Sequence, residues 1–197
     1  MWMPVENQKI MGNSVKNLLV TGEPRIGKST LIESVIGEFE SGVGGFITRE
    51  FRKNDERQGF EIITLDGQKA VLADKDFVSD VKVGKYGVNV ENLERTGIPA
   101  IERALREKEI VVIDEIGNME IVSEKFRGAV EKSLQSDRSV LATIHARSHP
   151  FTDAIKERAD VQIFELTERN RERVKKEIID LVKSLRSGNK YQRYHEK

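Results

Sequence analysis

Cysteine is absent from the 197 residues, which removes disulfides, thiolate chemistry and the commonest zinc sites together. Net charge is absent as well. The 33 basic side chains balance 33 acidic ones, so there is no electrostatic footprint for nucleic acid or for an anionic membrane surface. No apolar run approaches the roughly 20 residues that a bilayer span needs. The N-terminal stretch MWMPVENQKIMGNSVK has no apolar core of signal-peptide length. Internal repeats and low-complexity segments are lacking too. These absences set the expectation of a cytoplasmic protein with no membrane or nucleic-acid partner, and a monomer as its simplest state.

What is there suits one α/β domain. Apolar residues make up 38% of the chain, and a domain of this size buries roughly 70% of the surface its unfolded chain exposes. Charged residues make up 34%, evenly signed, a composition that fits a heat-tolerant protein. The ends are polar: residues 1–14 read as a flexible extension, with Met11 as an alternative start, and 187–197 as a flexible tail. The domain is placed at 15–186.

Val15 to Thr21 is short, apolar and β-branched, the pattern of a buried strand. Lys28 to Phe39 carries an apolar stripe at helical spacing. GVGGFITREFR and GFEIITLDG, separated by a turn-rich segment, read as an antiparallel hairpin, with KAVLA as a short third strand. GIPAIERALREKE reads as a helix with proline in its first turn. Ile110 to Ile113 is a wholly apolar strand, so both its faces should be covered. A helix over Ser123 to Gln135, the strand SVLATIH, a short helix in HPFTDAIKERA and the strand DVQIFEL follow. Thr167 is expected to cap a last helix with Val174, Ile178, Leu181 and Leu185 on one face. Strands alternating with helices predict a three-layer α/β fold: a mainly parallel sheet with helices on both faces and an antiparallel hairpin.

The first strand runs into LLVTGEPRIGKST. Gly22-x-x-x-x-Gly27-Lys28-Ser29 matches the phosphate-binding loop in its required setting, after a strand and opening a helix. Glycines let the backbone curl with N–H groups inward, and the positive end of the following helix completes an anion site. Lys28 would reach the β- and γ-phosphates, Ser29 would ligate Mg2+, and Thr30 would support an α-phosphate oxygen. Asp114 and Glu115 follow the buried strand directly, at the edge of an open α/β sheet where phosphate-side groups belong. Asp114 would hold the Mg2+ through water or with Ser29, and Glu115 could polarise the attacking water. The long interval between Lys28 and Asp114 leaves room for an intervening strand.

The motifs GEPRIGKST, GGFITREFR, GFEIITLDG, KVGKYGVNVE, VVIDEIGNMEI and LTERNRERV occur in order over residues 16–186. Together they resemble the small nucleoside-triphosphatases first described from thermophiles, whose vertebrate relative is called cancer-related nucleoside-triphosphatase. GFITREFR and VIDEIGNMEI are the most specific pieces. The resemblance implies a RecA-like P-loop domain that hydrolyses ATP, GTP and other nucleoside triphosphates to diphosphate and phosphate with Mg2+. It implies nucleotide binding by Gly22, Glu23, Pro24, Arg25, Ile26, Gly27, Lys28 and Ser29, to which the reading of the loop adds Thr30. The second segment it implies is Val111, Val112, Ile113, Asp114, Glu115, Ile116, Gly117 and Asn118. Lys28 and Glu115 are the catalytic pair, and Ser29 and Asp114 the metal ligands. Two departures stand out: Arg25 replaces a common glycine, and Asn118 replaces a lysine.

Further candidates for base or phosphate contacts are Arg49, Arg52, Thr143, Asn170 and Arg171. Each has a plainer reading: an ion-pair ladder for the arginines of the hairpin, a strand end for Thr143, helix-start chemistry for Asn170 and Arg171. His145 is a candidate titrating group and otherwise a solvent-facing strand end. Phe60 and Tyr86 are base-stacking candidates that also suit a core. Three functions compete. Hydrolysis leads because nothing in the sequence marks an acceptor site. The alternative is a kinase passing the γ-phosphoryl group to a nucleotide, a nucleic-acid end or a small molecule, with Lys82, Lys85 and Arg95 in a lid-like stretch. A nucleotide-operated switch is the third. No NKxD element restricts the base to guanine.

Overall fold

The computed structural model describes residues 15–195; the extension expected over 1–14 lies outside the described residues. Its elements are β1 (Asn17–Thr21), α1 (Lys28–Ile36), β2 (Val43–Lys53), β3 (Glu56–Thr64), β4 (Lys69–Asp74), β5 (Lys82–Val83), β6 (Tyr86–Val88) and α2 (Val90–Asn92). A π-helical turn at Leu93–Gly97 leads into α3 (Ile98–Glu107), followed by β7 (Ile110–Ile116), α4 (Glu124–Gln135), β8 (Ser139–Ile144), α5 (Pro150–Lys156), β9 (Val161–Glu165) and α6 (Arg171–His195). Because α6 continues to His195, no break in the helix marks the domain end placed at residue 186. Helix α1 stops at Ile36 rather than Phe39: the N–H of Gly37 donates to Glu33 O and that of Glu38 to Val35 O, closing the last turn.

All strands join one nine-stranded sheet in the order β5-β6-β4-β3-β2-β7-β8-β1-β9. From β2 to β9 every pairing is parallel, as alternating strands and helices predict. The antiparallel part is larger than a hairpin: β3, β4, β6 and β5 extend the sheet from β2. This extension fills the interval between Lys28 and Asp114. The strand that separates β1 from β7 is β8, which comes from further down the chain. The stretch read as a possible lid is therefore largely sheet and helix.

Period-2 alternation sends neighbours to opposite faces. In β1, Leu18 and Val20 join Ile32, Val35, Val174 and Ile178 beneath α1 and α6. Leu19 faces the other way, with Phe46, Ile101, Phe126 and Val130 beneath α3 and α4. Strand β7 has both faces covered, so Ile110, Val111, Val112 and Ile113 are all buried. Its apolar run pushes the polar pair that follows out at the sheet's C-terminal edge, beside the β1–α1 loop. Ser123 caps α4 by accepting from Phe126 N at 3.1 Å.

Candidate active site

The β1–α1 loop is shaped by two glycines in left-handed backbone. At Gly22, φ is 143°, and a Cβ would lie 2.6 Å from Leu166 O of the β9–α6 connection. At Gly27, φ is 93°, and a Cβ would meet the Arg171 guanidinium at 2.9 Å. The Arg171 Nη2 donates to Ile26 O at 2.6 Å, so the start of α6 braces the loop from outside. Lys28 Nζ donates to Gly22 O at 3.0 Å and to Glu23 O at 3.3 Å, which holds the ammonium across the loop mouth. The first turn of α1 carries no acidic residue, so nothing offsets the positive helix end. Arg25 adopts φ 68°, a conformation that costs an L-residue roughly 1–2 kcal/mol and that glycine adopts freely.

Asp114 lies fully buried at the end of β7. Its Oδ1 accepts from Thr143 Oγ1 at 2.6 Å and from Ser29 Oγ at 3.2 Å, and Thr48 N approaches Oδ2 at 3.5 Å. Three strands and the start of α1 thus converge on one carboxylate. Burial pushes its carboxyl up to about 6, against the hydroxyl bonds, which favour the charged form. Burial also raises Glu115, opposed by the charge of Lys28. A third carboxyl, Glu120, is 3% exposed; burial and the neighbouring Glu115 push it well above the usual carboxylate range. The Thr48 hydroxyl is buried with no hydrogen-bond partner among the described residues.

Two cavities meet here. A cavity of about 760 Å³ lies between the loop and the β2–β3 hairpin, lined by Gly27, Ser29 and Thr30 on one side and by Arg49, Arg52 and Arg57 on the other. A second, of about 450 Å³, is lined by Gly22, Glu23, Asn118, Glu120 and His145. Lys28, Thr48, Phe60 and Glu115 belong to both.

The structure sorts the expected site residues. It brings Lys28, Ser29, Thr30, Asp114 and Glu115 together. Val111, Val112, Ile113 and Ile116 are core residues of β7, wholly buried, and position the carboxylates without lining either cavity. Thr143 spends its hydroxyl on Asp114. Asn170 spends its amide on the start of α6, accepting from Thr167 N and donating to Glu165 O, both at 2.8 Å. The residue before the helix is therefore Asn170, and Thr167 does not cap it. His145 is 9% exposed, not a solvent-facing strand end: its Nε2 lies 3.0 Å from Thr152 Oγ1, and burial lowers its pKa. Tyr86 is core, edge-on to Phe60. Thr48, Glu33 and Glu120 were missed from the sequence. A carboxyl between Met119 and Ile121, so soon after Asp114, was the available signal for Glu120.

A family model described as NTPase matches residues 17–179. The chain belongs to the NTPase family. The nucleoside-triphosphatase THEP1 of Thermotoga maritima is 47% identical over 166 residues, which cover 84% of this chain and 95% of that protein. The crystal structure of THEP1 from Aquifex aeolicus superposes with a TM-score of 0.78 at 38% identity, covering 84% of this chain and 98% of that one. The solution structure of a human cancer-related nucleoside triphosphatase gives a TM-score of 0.72 at 30% identity, covering 88% and 98%. The NTPase fold is thus shared across this length, and the resemblance read from the motifs is borne out.

Proposed function

We propose that the chain hydrolyses nucleoside triphosphates, ATP and GTP among them, to the diphosphate and phosphate, with Mg2+ as cofactor. The carrying observation is the Ser29–Asp114 bond: it ties the phosphate loop to the buried carboxylate whose neighbour, Glu115, lines the same cavity. The names of the relatives support the same reaction. Loop N–H groups, the α1 terminus and Lys28 would bind the β- and γ-phosphates. The donors around Asp114 are all oxygens, and Mg2+ usually takes one or two carboxylates with phosphate oxygens completing its shell. Ser29 and Asp114 would hold it, with Thr143 and Thr48 fixing the carboxylate. When bound, it neutralises charge on the β- and γ-phosphate oxygens. Glu115 takes a proton from water as the water oxygen attacks the γ-phosphorus, and the bond to the β-phosphate oxygen breaks.

Arg49 is the best-placed cation for the developing charge. Its Nη2 donates to Glu33 Oε2 at 3.0 Å. Glu33 follows Ser29 by four residues on α1, just over one helical turn or about 6 Å further along the same face. Arg49 lines the same cavity as Lys28 and Ser29, and released from Glu33 its guanidinium would be free to turn into it. Arg52 is less free, giving three N–H donors to Glu50 and Asp55 O within the hairpin.

Phosphate release from ATP, GTP, CTP and UTP, with Mg2+ and with chelator, tests the reading. Glu115→Gln should bind triphosphate and lose turnover by about 10²-fold or more, and Lys28→Ala should lose both binding and turnover. Normal hydrolysis by Glu115→Gln would remove that carboxylate from the mechanism, and full turnover in chelator would remove Mg2+.

A further inference from the structure

The smaller cavity is larger than hydrolysis requires. A water takes about 30 Å³ of liquid volume, whereas the cavity measures about 450 Å³ and has Glu115 in its wall. It shares Lys28, Thr48, Phe60 and Glu115 with the cavity of the β1–α1 loop, so a ligand in it would reach the same carboxylate that faces the triphosphate cavity. Its lining tells the ligand class. Phe60, Val83 and Met119 offer apolar surface for a carbon skeleton, and Asn118 and Arg147 offer donors near the opening. Glu23 and Glu115 balance Lys28 and Arg147 in charge, so the lining offers an anion no net positive charge.

We propose that this cavity binds a small uncharged organic alcohol, which accepts the γ-phosphoryl group in competition with water. The proposal rests on the triphosphate-hydrolysing reading above. The alcohol oxygen attacks the γ-phosphorus and forms the ester bond; the bond to the β-phosphate oxygen breaks; Glu115 takes the hydroxyl proton. The products are a phosphate monoester and the nucleoside diphosphate, and no further reactant is needed.

The test turns over ATP with Mg2+ in rising concentrations of thymidine and, separately, glycerol, with ester and phosphate resolved by phosphorus NMR. The expected result is ester formation that saturates with at least one alcohol while phosphate release falls. Val83→Trp, which fills the cavity from the half-buried edge strand β5, should lower the ratio of ester to phosphate about tenfold, ~1.4 kcal/mol of binding. Phosphate alone with both alcohols overturns the proposal and leaves hydrolysis standing. Ester that grows linearly with alcohol and ignores Val83→Trp also overturns it, since that is random competition with water. If neither product forms, the hydrolase reading fails and this proposal fails with it.

Discussion

Asp114 sits where charge is expensive, and the fold bears that cost in order to place it. A carboxyl raised from 3.8 to about 6 on folding binds protons more tightly in the folded state. Stability therefore falls as pH rises between those values and is flat above them. At neutral pH the shift corresponds to about 3 kcal/mol. Asp114→Asn should accordingly be more stable than the parent at pH 7 by about 1–3 kcal/mol while losing turnover. An amide facing Thr48 N returns part of that gain. The advantage should vanish below pH 3.8, which denaturant titrations at two pH values would show; a less stable variant at pH 7 would contradict the burial account. As the proposed base, Glu115 would work deprotonated, so turnover should rise with pH on an acidic limb that Glu115 and Asp114, both raised by burial, share, and Glu115→Gln should lose the Glu115 part of that limb and keep the part due to Asp114. Arg49→Ala should lower kcat by about 10²–10³-fold with little change in KM. Glu33→Ala, which frees the same guanidinium, should not lower it comparably. Residue types carried the loop lysine and the two carboxylates of the DE pair. They could not carry Thr48, whose part is played by a backbone N–H and a buried hydroxyl.

Elements turn those residues into a site. Strand β1 buries Leu18 on one face and Leu19 on the other, so neither core is dispensable. Leu18→Ala and Leu19→Ala should each cost about 2–5 kcal/mol, read from the denaturant midpoint. The β1–α1 loop is braced from outside by the start of α6, through Arg171 on Ile26 O and the close approach of Leu166 O to Gly22. Arg171→Ala should therefore raise KM for triphosphate about tenfold with a smaller effect on kcat, measured by steady-state kinetics. Arg171→Lys should restore little, because a point charge lacks the fork that reaches the carbonyl while packing on Gly27. Strand and helix existence followed from hydrophobic period. The end of α1 at Ile36 did not, because Gly37 sits inside a stripe that continues to Phe39.

At the scale of the molecule, the dense mixed charge forms ion pairs that lie mostly at the surface, such as Arg95–Glu91, Arg173–Glu177 and Arg52–Glu50. Exposed pairs contribute about 0.2–1 kcal/mol each, and molar salt shortens the screening length to about 3 Å. Unfolding free energy at 25 °C should therefore fall by no more than ~2 kcal/mol in 1 M sodium chloride; a larger fall would mean that the pairs act as a network. The sequence by itself determined the phosphate-loop motif, the carboxylate pair, the α/β class and the family, because each is written in residue types at fixed local spacing. Only the tertiary structure decided that β8 would stand between β1 and β7, that Thr143 and Thr48 would meet Asp114, that Asn170 would turn inward to the helix start, and that Glu120 would be buried behind Glu115. Those outcomes depend on which strands pair across long stretches of chain, and local periodicity is the same whichever neighbour a strand takes.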